Sequence, residues 1–229
     1  MKEFVLRGRG PNTMTLASLQ ALRDCLAEYP DEPLLITGHG TAFSAGLDID
    51  ALIKDDPKRV SDAIEDVAAA LFMHPAPTVA AVNGHAIAGG CLLLQACDLR
   101  IARADATIKI GMPGVALGIN YPPKLMRILR YRIAPQCIDR VLLEAANHAP
   151  QQALALGLVD ELADDELGLA RQRLHSLAAH PREAYAETKR VLREQALEVP
   201  PAERAHFEAR FSSHWNGAGL SRNRRDKAG

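Results

Sequence analysis

Apolar positions in this chain fall into short dense runs and into helical spacings, and the two alternate before the second takes over. Phe4 to Arg7 is a short apolar run cut off by Gly8, Gly10 and Pro11, which predicts a strand ending in a turn. Thr15 is placed to cap the segment Leu16-Leu19-Leu22-Leu26, whose three- and four-residue spacing is that of an amphipathic helix. Pro33 to Thr37 predicts a buried strand, and small residues from Gly38 to Asp50, packed around Phe43, predict a turn-rich loop. A second amphipathic helix opens at Ser61, is carried by Ile64, Val67, Ala68, Leu71 and Phe72, and stops at His74-Pro75. Thr78 to Val82 reads as the next strand, broken at Asn83-Gly84; Ala88-Gly89-Gly90 then opens an apolar helix, Cys91 to Ala96. Leu99 to Ala102 and Thr107 to Ile110 are further short strands. From Lys124 onward the pattern is helical, punctuated at Pro135, Pro150, Pro181 and Pro200-Pro201. Leu167 to Leu177 is such a helix, with Arg171 and Arg173 on a solvated face. Strands therefore crowd the first half and helices the second. No repeat of fixed period, low-complexity linker or sharp change of composition divides the chain.

Composition narrows the class. The 229 residues are 48% apolar and 24% charged, with a formal net charge of −1, a profile of one globular domain rather than a disordered chain. The balance excludes the broad basic excess of a nucleic-acid binder; Arg222, Arg224, Arg225 and Lys227 read as a solvated terminus. Cys25, Cys91, Cys97 and Cys137 form no C-x-x-C pair and are read as buried thiols of a reducing compartment, not as a disulfide framework or metal site. The first residues lack the apolar stretch of a signal peptide, and no run approaches the length of a membrane span, so a cytoplasmic location is expected.

The candidate chemistry lies at two strand-to-turn-to-helix junctions. One is Phe43-Ser44-Ala45-Gly46-Leu47-Asp48-Ile49; the other is Asn83-Gly84-His85-Ala86-Ile87-Ala88-Gly89-Gly90. Glycine there permits positive φ and close approach of a ligand. Glycines opening a helix also leave free N–H groups with the helix dipole behind them. Either turn alone is commonly just tight packing, and no G-x-G-x-x-G follows a strand. Their occurrence in order, with Cys97-Asp98-Leu99-Arg100-Ile101-Ala102 after the second, is more specific.

Together with Asn12-Thr13-Met14-Thr15 and Ala153-Leu154-Ala155-Leu156-Gly157-Leu158-Val159-Asp160, these segments resemble the crotonase (enoyl-CoA hydratase/isomerase) superfamily in register from about Arg9 to Leu162. The resemblance implies an α/β fold: a spiral of β-β-α turns forming two roughly perpendicular sheets surrounded by helices. It implies a spiral core over 1–180, a C-terminal helical trimerisation or lid region over 181–229, and a homotrimer or hexamer. It also implies an acyl-CoA or acyl-carrier thioester as partner, with coenzyme A arriving as part of the substrate. The hole needs no metal or redox cofactor, the sequence shows no metal constellation, and the charge balance and lack of a long apolar run leave no nucleic acid or membrane expected as partner. The Leu47 and Gly89 amides would form an oxyanion hole. Ala45, Asp48 and Ile49 would receive the adenine end, and Arg9 is either a phosphate contact or a plain surface arginine. Two fixed N–H donors stabilise an enolate more than the ground-state carbonyl, which is what catalysis requires.

The pattern breaks where family hydratases carry two glutamates, because those positions are Leu92 and Gly114 here. Neither can move a proton, so the usual hydration is not expected; a lyase or isomerase acting through the enolate is, with a non-catalytic thioester-binding or partner subunit as the alternative. Tyr121 stands between two roles, an acid–base or hydrogen-bonding phenol and a core tyrosine beside Pro122-Pro123. His85 is read as structural and His39 as a cap for the first turn. Asp48 and Asp98 are read as fixing local turns, and Cys91 as lacking the base or cation that would activate it. The single strand before the first turn is shorter than the family's N-terminal hairpin.

Overall fold

In the computed structural model, residues 1–215 are described. Five strands form a parallel sheet in the order β1 (Lys2–Leu6), β2 (Leu34–Gly38), β4 (Thr78–Val82), β6 (Leu99–Arg103), β9 (Glu161–Ala163). Four shorter strands form a second sheet, β3 (Ala42–Ser44), β5 (His85–Ile87), β7 (Ile110–Gly111) and β8 (Asn147–His148), of which only β8 runs antiparallel. The chain thus winds as a spiral: β2 with β3, β4 with β5, and β6 with β7 each place one strand in each sheet before a helix returns. Those helices are α2 (Ile49–Lys54) and α3 (Pro57–Phe72), then α4 (Gly89–Ala96), then α5 (Pro123–Arg132). Because helices cover both faces of the larger sheet, β2 and β4 are buried at every position, as parallel strands require. Alternate residues serve two cores. Ile36, Ala80, Val82 and Ala102 join the main core with α1 (Leu16–Glu28) and α3, while Leu35, Val79, Ala81 and Ile101 pack on Ala170 and Leu174 of α8 (Glu166–Ala178).

Local signals account for most element ends. Thr15 caps α1 in a capping box with Ser18. The second amphipathic helix starts at Pro57, not Ser61: Asp56 accepts from the Lys58 N–H and proline takes the first helical position. The expected loop from Gly38 to Asp50 contains β3 and the start of α2, and of the strand expected over Thr107 to Ile110 only Ile110 is a strand residue, in β7, which runs on to Gly111. β8 and β9 fall in the half expected to be helical; both are too short to carry an alternating pattern.

The rest of the chain runs through α6 (Pro135–Leu143), α7 (Pro150–Ala155), α8, α9 (Arg182–Arg193) and α10 (Pro201–His214). Arg171 and Arg173 lie on the solvated side of α8, paired with Glu3 and Glu161. Side chains stitch the last two helices to the core: Lys189 and Arg193 of α9 reach Asp98, and Arg204 of α10 grips both carboxylate oxygens of buried Glu65. The basic tail at 222–227 lies outside the described residues. Among those described, no helix is long and apolar enough to cross a membrane.

Candidate active site

Both glycine turns end up against each other. A Cβ on Gly46 would lie 3.0 Å from the Gly89 nitrogen, and one on Gly89 would lie 3.4 Å from the Gly46 Cα. Gly46 has φ +91°, so glycine answers both the backbone conformation and the close approach. Gly90 is tighter still, since a Cβ there would fall 2.2 Å from the Ser44 carbonyl oxygen.

The first turn is held from several sides. Asn12 donates to the carbonyls of His39 and Ala42 at 2.7 Å, so the cap expected from the His39 side chain is made by Asn12 on the His39 backbone. Ser44 Oγ donates to the Asn12 carbonyl and accepts from the Gly46 N–H. Met14 then forms a parallel bridge to Leu47, in which the Met14 N–H meets the Gly46 carbonyl and the Asp48 N–H meets the Met14 carbonyl. That pattern bonds the neighbours of Leu47 and turns its own N–H the other way. Asn83 fixes the start of the second turn, accepting from the Gly38 N–H and donating to the carbonyls of Gly38 and Gly40. Gly89 is the first residue of α4, where an N–H has no intrahelical partner. Neither Leu47 nor Gly89 donates its N–H to any acceptor in the described structure. Ala88, just before, has φ +50° and ψ −117° with no side-chain cap, a sparsely populated conformation that costs about 1–3 kcal/mol and gathers at functional sites.

Leu47 and Gly89 both border one cavity of about 100 Å³. Its walls are apolar: Ile49 and Leu52 from α2, Ile64 from α3, Leu92 from α4, Leu125 from α5, and Trp215 at the end of α10. Ala45, Leu47 and Ile49 also border an outer groove of about 390 Å³ that includes Arg9, Thr13 and Asp48. Inner cavity and outer groove therefore share one wall. The residues expected at the site are all brought to it: Leu47, Gly89 and Tyr121 to the cavity, Arg9 and Asp48 to the groove, Ala45 and Ile49 to both.

Polar groups at the site are largely committed to the fold. Asp48 accepts the Ala51 N–H at 2.9 Å and the Thr13 hydroxyl at 3.1 Å. Those bonds, the Ala51 amide first and against some desolvation, hold its carboxyl below the usual range. Tyr121 Oη donates to the Met112 carbonyl at 3.2 Å and accepts the Gly114 N–H at 3.1 Å. Burial pushes its phenol up to about 12, so it is protonated at neutral pH. A Cβ on Gly114 would lie 2.4 Å from that oxygen: the phenol fills the room a side chain at 114 would need. Leu92 is 2% exposed on the cavity wall. Cys91 is buried, with its thiol pushed up to about 12 by desolvation, and so is not an activated nucleophile. His85 accepts the Lys109 N–H and does not line the cavity.

Asp98 does more than fix a turn. Besides accepting the Thr78 N–H it takes the Tyr185 hydroxyl and Lys189 Nζ, and it pairs with Arg193 at 2.7 Å. Arg132 adds bonds to the Cys97 and Asp98 carbonyls, so cations surround the C-terminal end of α4, opposite the end bearing Gly89. Three of the four cysteines are buried and free, and Cys137 is half-buried rather than buried. The wall residues Leu52, Ile64, Leu125 and Trp215 carry no local sequence signal for the site, since apolar positions on helices read as core.

A spiral of β-β-α turns with two facing glycine junctions beside an apolar cavity is the crotonase architecture. The sequence profile of the enoyl-CoA hydratase/isomerase family matches residues 6–219, and the chain belongs to that family. It is 30% identical to the 2,3-dehydroadipyl-CoA hydratase of Escherichia coli over 191 residues, covering 82% of this chain and 74% of that protein. It is 31% identical to the peroxisomal enoyl-CoA delta isomerase 1 of Arabidopsis thaliana over 169 residues, 69% of this chain and 70% of the other. Among solved structures, the enoyl-CoA hydratase EchA3 of Mycobacterium ulcerans superposes with a TM-score of 0.81 at 27% identity, over 91% of this chain and 94% of that one. Human mitochondrial delta3-delta2-enoyl-CoA isomerase shares the fold, with a TM-score of 0.77 at 24% identity over 98% and 89% of the two chains. The family thus includes both hydratases and isomerases among the relatives of this chain.

Proposed function

We propose that this protein binds an acyl-CoA thioester with the carbonyl oxygen between the Leu47 and Gly89 amides and stabilises the derived enolate in a lyase- or isomerase-type reaction. The observation that carries the reading is the pair of N–H groups, distant in sequence, that have no acceptor among the described residues and belong to two residues bordering one cavity. When a bond to the α-carbon breaks and leaves its electron pair behind, the charge spreads onto the thioester oxygen. Two preorganised donors there favour that state over the neutral carbonyl, each worth about 10²–10³ in rate. Hydration through two carboxylates is disfavoured, because the positions that would hold them are Leu92 and Gly114. Arg9 and the backbone of Ala45, Asp48 and Ile49 would take the phosphate and adenine end in the outer groove. Coenzyme A enters as part of the substrate, and a homotrimer or hexamer with the C-terminal region expected over 181–229 as interface or lid belongs to the same reading; its residues 216–229 lie outside the described residues.

Calorimetric titration with acetyl-CoA and crotonyl-CoA tests it. Binding is expected for the native chain and at least tenfold weaker binding for Gly46→Ala, whose Cβ would press on the Gly89 nitrogen. No binding of either thioester at millimolar concentration would sink the proposal. A second reading, a thioester-binding subunit without turnover, is favoured by a specific observation: among the described residues no lining side chain except Tyr121 can exchange a proton, and its hydroxyl is already bonded. Exchange of the acyl α-protons in D2O, followed by NMR, separates the two; binding with no exchange and no conversion selects the second.

A further inference from the structure

The cavity beyond the two amides is small, and one wall of it is a side chain held with unusual care. Trp215 lies 4% exposed at the C-terminal end of α10. Its Nε1 donates to the Asn120 carbonyl at 3.1 Å, and its ring stacks on Phe211 with centroids 5.5 Å apart. The helix that delivers it is itself anchored, Arg204 to Glu65 and Glu203 to Arg127. Swinging the indole aside would break the Asn120 bond and the stack, and would leave a buried donor unpaired.

We propose that Trp215 sets the chain-length limit of the site, restricting it to short hydrocarbon acyl groups of about four carbons. This rests on the thioester reading above. An apolar protein cavity of about 150 Å³ holds the six carbons of benzene, so the about 100 Å³ here takes roughly four. Leu52, Ile64, Leu92 and Leu125 complete the wall with hydrocarbon. With the two amides holding the thioester oxygen, an acyl group ending in a carboxylate would bring a charge into a space that no cation among the described residues lines. A longer chain would meet the indole.

The chain has a single tryptophan, so its fluorescence reports on this wall directly and complements calorimetry. The full-length protein is titrated with free coenzyme A and with the acetyl, butyryl, hexanoyl, octanoyl and succinyl thioesters. Affinity is expected to rise about fourfold per added methylene from acetyl to butyryl. It should then fall at least tenfold for octanoyl, with succinyl at least tenfold weaker than butyryl and emission shifting on butyryl binding. Trp215→Ala should move the optimum to hexanoyl or octanoyl; Trp215→Phe, which keeps a ring on the wall, should move it by one or two carbons if the alanine variant does not fold. Octanoyl binding as tightly as butyryl, or an order unchanged in the variants, overturns the inference. Uniform binding of every thioester would defeat the chain-length limit alone, whereas binding of none would defeat the functional reading beneath it.

Discussion

Gly114 and Tyr121 are seven positions apart and share one small volume. The phenol accepts the Gly114 N–H and stands 2.4 Å from where a Cβ would be. Gly114→Ala is therefore expected to destabilise the fold by about 1–3 kcal/mol through overpacking. Adding Tyr121→Ala should recover part of that loss, because the obstructing ring is gone. Chemical denaturation of the two single variants and the double variant measures the coupling; strict additivity would show that the two residues do not contend for the space. The sequence displays a glycine at 114 but not the packing around it, because nothing in the order of residues says that a tyrosine further along folds back onto that glycine. In the same way Gly46 and Gly89 are legible as turn residues, while their contact needs the fold.

At the scale of elements, α4 is the piece that joins the candidate site to stability. Its first residue offers the Gly89 amide, and its far end is gathered into a buried cluster around Asp98. Burial alone would raise the Asp98 carboxyl, but Lys189 and Arg193 outweigh it and hold the group below its ordinary range. A carboxylate whose folded pKa is depressed contributes stability that is present above its unfolded value, about 4, and is lost as pH falls through the folded one. Asp98→Asn is expected to cost about 3–5 kcal/mol at neutral pH, since it leaves Lys189 and Arg193 buried without their anion. The difference from the native chain should stay level down to about pH 4 and shrink below it. Denaturation midpoints across pH check this; a difference that grows in acid would contradict the assigned sign. An aspartate at the end of an apolar helix reads locally as a turn-former. Its partners lie about ninety residues away on α9, and the cations of an amphipathic surface helix look no different before folding.

For the whole molecule, the spiral gives each turn of chain a strand in both sheets and leaves the thiols inside. Cys25, Cys91 and Cys97 are buried, and Cys137 is half-buried; desolvation holds Cys91 and Cys97 at about 12. A thiol-specific reagent at pH 8 should label Cys137 first in the native protein and the other three only on unfolding. Mass spectrometry of the labelled peptides decides it, and rapid native labelling of Cys91 would mean that α4 is not packed as described.

Sequence alone determined the two glycine junctions and most helices, because each depends on local rules: spacing of apolar residues, capping, and the conformational range of glycine; the class of fold was legible through the family resemblance of those motifs in register. The β-β-α repeat itself has no fixed period in the sequence, since its turns differ in length and two of the strands have only two residues. Tertiary structure decided the rest. Only the winding of the chain sets Gly46 against Gly89, lays Tyr121 over Gly114 and carries Trp215, from the end of α10, to the wall of the cavity. Those contacts are between residues far apart along the chain, and their geometry follows from the packing of whole elements rather than from any preference of the residues themselves.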